Sequence, residues 1–242
     1  IFQLCEIKNK EDLMRQFAIR YIGYKHDGFV QDLKDGLEVD KYDLFSRHFA
    51  AFFVNESSEQ IATTRMITPE LSDHFEEVAS IITHCNDSYY NSVKEAVSHK
   101  QYDLLKVPEF PTLESFTING NIRKKIKDKV VVELSRTSVL PEYRSNGVNS
   151  MILLFAYQAV IKAGYKDIIG SCKIGRENFY EKYGYQVLKE VGTHPYKLNN
   201  IPSFALYLDL LNLPSQFKYM TALMQDRLDK YNYVPFLSPV AK

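Results

Sequence analysis

The segment from Lys129 to Lys173 limits the fold more than any other part of this chain. It opens with KVVVELSRTSV (129–139), a β-branched run, and passes a proline-marked bend into Arg144-Ser145-Asn146-Gly147. It continues as VNSMILLFAYQAVIKAG (148–164), apolar, of helical length and ended by Gly164, and closes with KDIIGSCK (166–173), a second β-type run. Strand, helix and strand in so short a stretch predict a βαβ unit, with its two strands parallel and the crossover right-handed.

The rest of the chain adds antiparallel partners. FAAFFV (49–54) and QIATTRMI (60–67), joined by the turn-rich NESSEQ, predict a hairpin. Residues 10–24 carry Leu13, Phe17, Ile19, Tyr21 and Tyr24 at mostly helical spacing behind Asn9, Glu11 and Asp12, which suit a helix start. After the βαβ unit come a short helix (176–184), two strands (185–191 and 203–210) and a closing helix (215–231). Between hairpin and βαβ unit, residues 68–128 predict an irregular helical excursion, punctuated by Pro108, Pro111 and Gly120. The expectation is one α/β (α+β) domain over residues 1–242, with a mixed, mostly antiparallel central sheet and helices on both faces; residues 213–242 form the closing helix and tail.

Charge and cysteine content narrow the function classes. Thirty basic residues balance thirty acidic ones, so no nucleic-acid footprint is expected at whole-chain level. Three cysteines, Cys5, Cys85 and Cys172, at irregular spacing suit neither a disulfide framework nor zinc-ligand pairs, and the six histidines show no metal-ligating spacing, so no metal is expected. No apolar run approaches a bilayer-spanning length, and the first residues lack a signal-peptide pattern; the expectation is a cytoplasmic protein without integral membrane association.

The turn before the long helix carries the first functional reading. A strand that feeds a helix N-terminus aims unpaired backbone N–H groups and the positive end of the helix dipole at one spot, which suits phosphate. Gly147 lets a ligand approach the backbone, and Arg144 adds a charge; an ordinary turn before a core helix is the alternative. Arg144-Ser145-Asn146-Gly147-Val148-Asn149 is similar to the R/Q-x-x-G-x-G/A loop of the GNAT superfamily of N-acyltransferases, with Asn149 where glycine or alanine is usual. Asn178-Phe-Tyr180-Glu-Lys-Tyr183-Gly184-Tyr185 resembles the superfamily's N-x-F-Y-x-x-x-G-F/Y signature. Arg20-Tyr21 with Tyr24, the D-x-x-D of Asp40 and Asp43 in EVDKYD, Arg65 in ATTRMI and Glu133-Leu-Ser135-Arg136 resemble the pattern of N-acyl-homoserine lactone synthases and the related N-acyl amino acid synthases.

That resemblance implies a sheet whose parallel pair splays apart, and a transfer of a fatty acyl group to the amino group of an amino acid or similar small amine. The donor would be a phosphopantetheine thioester on acyl carrier protein, or acyl-CoA. It further implies that Arg144 to Asn149 and Asn178 hold the donor's phosphate arm, with the backbone of Thr137, Ser138 and Val139 beside the thioester; Arg20, Tyr24, Asp40, Asp43 and Arg65 would lie on the acceptor side.

Aminolysis of a thioester needs a neutral amine, an activated carbonyl and a proton for the departing thiolate. Glu133 can take the amine's proton, or it can pair with Arg65 or Arg136 to hold the sheet together. Tyr180 matches the position that protonates the thiolate in the superfamily, or it packs. Asp40 and Asp43 either orient the acceptor or order their loop. Lys124, Lys125, Lys127 and Lys129 with Arg144 would form a basic patch for an acidic carrier. Two rival readings remain, an acetyl-CoA-dependent acetyltransferase and a non-catalytic acyl- or carrier-binding module.

Overall fold

The computed structural model describes residues 2–30, 32–54, 58–86, 90–98, 110–118, 120–128, 131–196, 201–231 and 233–236. Nine strands form one sheet: β1 (Phe2–Ile7), β2 (Ser46–Phe53), β3 (Glu59–Ile67), β4 (Val131–Val139), β5 (Asp167–Lys173), β6 (Gln186–Val187), β7 (Thr193–Tyr196), β8 (Ile201–Asp209) and β9 (Val234–Phe236). Their order is β6-β8-β5-β4-β3-β2-β1-β9, with β7 also paired to β8. Every described pairing is antiparallel except β4 with β5, the two strands of the expected βαβ unit.

The crossover helix is α6 (Val148–Lys162). It is apolar nearly all round because it is covered on both sides, by the sheet and by α8 (Ser215–Tyr231). Ile152, Phe155, Ala156 and Ala159 join Phe49, Met66, Val132 and Ile168 in the core on this face. The opposite face is covered by α1 (Lys10–His26) and by α2 (Phe75–His84), α3 (Asn91–Ser98) and α4 (Pro111–Ser115) of the excursion, over a second core around Phe17, Ile67, Val131 and Ile169. The excursion is thus the roof of one sheet face, and α5 (Gly120–Lys127) leads from it into β4.

Four strands differ from the expectation. β1 and β9 extend the sheet beyond the hairpin, β1 pairing antiparallel with both β2 and β9. The run at 185–191 pairs only through Gln186 and Val187, then turns at Lys189–Val191, and Thr193–Tyr196 supplies a further strand against β8. Among the described residues no helix is long and apolar enough to cross a membrane.

Candidate functional site

The site begins with a defect in β4. Thr63 pairs with Ser138 and Arg65 with Ser135, so Thr64 faces two residues, Arg136 and Thr137. Arg136 takes φ of 56°, the left-handed region that a non-glycine residue rarely occupies, and the extra residue makes a β-bulge. In a regular strand Ser135 and Arg136 would point to opposite faces. Here both reach the same group of charges: Ser135 Oγ accepts from Arg65 Nε at 3.1 Å, and Arg136 Nη2 donates to Asp40 Oδ2 at 3.0 Å.

Those charges close into a ring. Arg20 donates from Nη1 to Asp43 Oδ1 (2.7 Å) and from Nε to Glu38 Oε2 (2.7 Å). Arg65 Nη1 donates to Asp40 Oδ1 (2.7 Å) and lies 2.8 Å from Asp43 Oδ1, while Arg136 Nε lies 2.9 Å from Glu38 Oε1. Arg20, Asp43, Arg65, Asp40, Arg136 and Glu38 therefore alternate in sign around a circuit buried between α1 and the sheet. Burial alone would raise the Asp40 carboxyl, but the guanidinium groups of Arg65 and Arg136 bring it below its ordinary value. Against the same effect of burial, Arg20 and Arg65 hold Asp43 well below its own. The D-x-x-D spacing has a local cause as well. Asp40 and Asp43 form the capping box of the 3-10 turn Lys41–Phe45: the Asp40 carboxylate accepts from Tyr42 N (2.9 Å) and the Asp43 carboxylate from Asp40 N (2.8 Å).

The bulge also parts the parallel strands. Register pairing of β4 with β5 runs only through Val131–Asp167, Val132–Ile168 and Glu133–Ile169, then stops. Gly170 sits at the fork, where a Cβ would come 3.0 Å from the Leu134 carbonyl. Beyond it lies a cleft of about 700 Å³, lined on one wall by β4 from Leu134 to Val139 and on the other by Gly170 to Lys173 of β5. Arg144, Ser145, Gly147, Asn149 and Ser150 close one end, while Tyr180, Phe179 and Tyr185, from α7 (Glu177–Lys182) and the residues after it, border it too. Tyr24, Asp27 and Phe29, from the end of α1 and just after, also line it.

At the α6 end, Gly147 is the N-cap residue with φ of 75°, and nothing lies within 4 Å of the position its Cβ would take. Glycine is therefore required by the backbone angle, and the space beside it stays open to a ligand. Arg144 is already engaged: it binds Asp27 through both terminal nitrogens (2.8 and 3.2 Å) and the Val139 carbonyl through Nε (3.1 Å). Its charge is spent on tying the loop to α1. Lys173 and Arg176, both exposed, and Arg136, held in the ion ring, are the other cations along the cleft.

Glu133 lies one layer behind the cleft and is fully buried. The Thr112 backbone N–H donates to its Oε2 at 2.9 Å, and Oε1 has no hydrogen-bond partner. It forms no ion pair with Arg65 or Arg136, so the pairing alternative gives way to a clamp from the excursion. Burial pushes its carboxyl up to about 7, against the pull of the Thr112 hydrogen bond and the more distant arginines. Tyr180 lies edge-on to Phe179 and Tyr185, and burial raises its phenol well above the ordinary value, so it keeps its proton at neutral pH.

The expected site residues thus separate into three groups. Tyr24, Ser135, Arg136, Thr137, Ser138, Val139, Arg144, Ser145, Gly147, Asn149 and Tyr180 line the cleft. Arg20, Asp40, Asp43 and Arg65 lie beneath it in the ion ring, touching it only through Ser135 and Arg136. Val148 is buried in the core, and Asn146 and the exposed Asn178 lie outside the cleft lining. Lys124 is exposed on α5, while the side chains of Lys125 and Lys127, and all of Lys129, fall outside the described residues. Sequence reasoning missed Asp27 and Thr112. Each acts through a partner far along the chain, and nothing in its own neighbourhood signals that contact.

No protein-family profile matches the sequence, and comparison with curated proteins gives no match. Solved structures do match in fold. FeeM, an N-acyl amino acid synthase from uncultured soil microbes, is 11% identical with a TM-score of 0.55, over 93% of this chain and 98% of that one. BjaI, a CoA-dependent acyl-homoserine lactone synthase solved with SAM and isopentyl-CoA, is 16% identical with a TM-score of 0.51, over 95% of this chain and 90% of that one. The acyl-homoserine lactone synthase LasI is 13% identical with a TM-score of 0.51, over 98% and 97%. At these identities the likeness is one of fold, and the fold is the GNAT-like one that the motifs implied.

Proposed function

We propose that this protein is an N-acyltransferase that moves a fatty acyl group from a phosphopantetheine thioester on acyl carrier protein to the amino group of an amino acid or similar small amine. The observation that carries the reading is the forked β4–β5 cleft, with the α6 N-terminus at one end and a protonated tyrosine on its border. An extended thioester arm fits between the parted strands, where β4 past Glu133 has no β5 partner. Its phosphate would meet the amides at Gly147 to Asn149, and its carbonyl those near Thr137 to Val139.

In this reading the amine nitrogen attacks the thioester carbon, the C–N bond forms and the C–S bond breaks. The thiolate takes the Tyr180 proton. The amine's proton leaves toward Glu133, whose carboxyl titrates near neutrality; because Glu133 lies behind the cleft wall, that transfer passes through water. Arg136, the one ring member that reaches the cleft, would meet the acceptor's carboxylate.

The test is mass spectrometry of reactions holding the protein, a panel of amino acids and homoserine lactone, and either acyl-carrier thioesters of several chain lengths or acetyl-CoA. A long-chain N-acyl product, lost in Tyr180→Phe and Glu133→Gln, is the expected result. Acetylated product alone would replace this reading with an acetyltransferase, and tight carrier binding without product would replace it with a binding module.

A further inference from the structure

The excursion between hairpin and βαβ unit brings Thr112 of α4 against the proposed base. Thr112 and Glu133 are both fully buried, and their contact involves more than the backbone clamp. Burial raises the Glu133 carboxyl, and Thr112 opposes that rise twice, through its N–H on Oε2 and through its hydroxyl. Neither Thr112 Oγ1 nor Glu133 Oε1 bonds to any other group. A buried hydroxyl and a buried carboxyl oxygen are thus left to each other.

The other neighbours of the carboxyl offer no substitute. Ile67 and Ile169, its partners in β3 and β5, are apolar. Arg65 and Arg136 act on it from the ion ring without pairing with it, and Glu114 of α4 is paired with Lys41. Tyr185 is the further titratable group that feels it; that phenol is raised chiefly by burial and less by this carboxylate, so it is neutral near pH 7.

A base that takes up a proton in every turnover must be satisfied in both of its states. A carboxylate needs donors, and a carboxylic acid needs an acceptor for its own proton. A backbone N–H only donates, whereas a hydroxyl does either by turning about its C–O bond. We infer that Thr112 is a positioning residue for Glu133: its N–H fixes Oε2, and its hydroxyl donates to Oε1 of the carboxylate and accepts from the acid once the amine's proton has arrived. The catalytic meaning rests on the transfer reaction proposed above; the hold of the hydroxyl on the carboxyl does not. The excursion is then part of the proton-handling apparatus as well as a cover for the sheet.

Thr112→Val keeps the shape and the N–H and removes the hydroxyl. Hydrogen bonds to a charged acceptor are the stronger ones, so the loss penalises the carboxylate more than the acid, and the titration moves up. Carbon-13 NMR of protein labelled at the glutamate carboxyls, with the Glu133 signal assigned by its absence from Glu133→Gln, is expected to show a midpoint higher by about half a pH unit or more in Thr112→Val and in Thr112→Ala, and restored in Thr112→Ser. The acidic limb of kcat/KM should move with it, giving a rate about threefold lower below about pH 6.5 and nearly unchanged above about pH 8.5. A loss equal at every pH would make Thr112 a packing residue and overturn the inference. So would an unmoved carboxyl midpoint in Thr112→Val and Thr112→Ala, with or without turnover, or a midpoint that moves while the limb of kcat/KM stays in place. Absence of acyl product from the unmodified protein would sink the transfer reaction, and the carboxyl titration would still decide what Thr112 does to Glu133.

Discussion

Arg144 Nη1 lies 2.8 Å from Asp27 Oδ1, and this pair bridges the loop before α6 to the end of α1. The arginine that the sequence offered as a phosphate ligand is neutralised by a carboxylate that also lines the cleft. An incoming phosphate therefore meets a neutral pair, and the repulsion from Asp27 grows with the charge on the ligand. Asp27→Asn should free Arg144 and tighten coenzyme A binding by about three- to tenfold at low salt, with the gain shrinking as salt rises. Isothermal calorimetry at two ionic strengths reads both effects, and an unchanged affinity would remove Asp27 from the account of donor selection.

The ion ring makes a different kind of demand. A buried pair adds little net stability over an apolar replacement, yet removal of one member leaves its partners charged and unpaired in the core. Arg65 contacts Asp40 and Asp43 together, so Arg65→Met leaves three buried carboxylates to share two guanidinium groups, with Asp40 held only by Arg136 and Asp43 only by Arg20. The expected loss is about 3–5 kcal/mol in urea unfolding. Arg136→Met, at the cleft edge, leaves Glu38 with Arg20 alone and Asp40 with Arg65 alone where water is closer, and the loss there should be smaller.

The contrast between these sites explains how far the sequence could be read. The βαβ unit, the hairpin and the helices α1, α6 and α8 followed from period and length, because each is a local pattern that burial enforces. The turn at Gly147 was legible too, since a glycine between a strand and a long helix marks such a turn, whereas the positive φ of Ser145 beside it carried no such mark. The position of the bulge did not, because Arg136 at φ of 56° is held by Glu38 and Asp40 from another part of the chain, and no residue near it favours that angle. The same holds for Glu133, whose partner Thr112 belongs to an excursion with no regular pattern of its own. The short strands β1 and β9 were missed for another reason. Three to six residues at a sheet edge carry too little periodicity to stand out.

Tyr180 offers a kinetic test of the proposed acid. Its ring is held by Phe179 and Tyr185, so Tyr180→Phe should leave packing and donor binding intact while removing the proton source. A loss of about a hundredfold in kcat with KM within a few-fold is expected, since general acid catalysis contributes on that scale. A thioester with a more acidic leaving thiol should recover much of the rate, because its thiolate needs no proton to depart. Equal loss on both donors would make Tyr180 a packing residue.

Glu133 ties pH to both stability and rate. Its carboxyl is raised from the ordinary 4.5 to about 7, chiefly by burial, so the folded state holds this proton more tightly than the unfolded chain does. The contribution of that proton is complete below about pH 4.5 and is lost as pH rises through 7. The unmodified protein should thus lose on the order of 3 kcal/mol of unfolding free energy between pH 5 and pH 8 from this group alone, as an upper bound. In Glu133→Gln the amide can occupy the same space and keep the Thr112 contact through its oxygen, and this contribution should vanish, leaving the opposite slope of the buried His48. The rate should move the other way, rising through pH 7 as Glu133 becomes able to accept a proton. Urea midpoints at pH 5, 6.5 and 8, beside a kcat/KM profile over the same range, would show the two curves crossing near one pKa. His48, held by burial at about 4, gives the opposite slope in both proteins, so the readout is their difference: a difference that stays flat from pH 5 to 8 would mean that Glu133 is charged when folded and that its burial is compensated by groups other than Thr112.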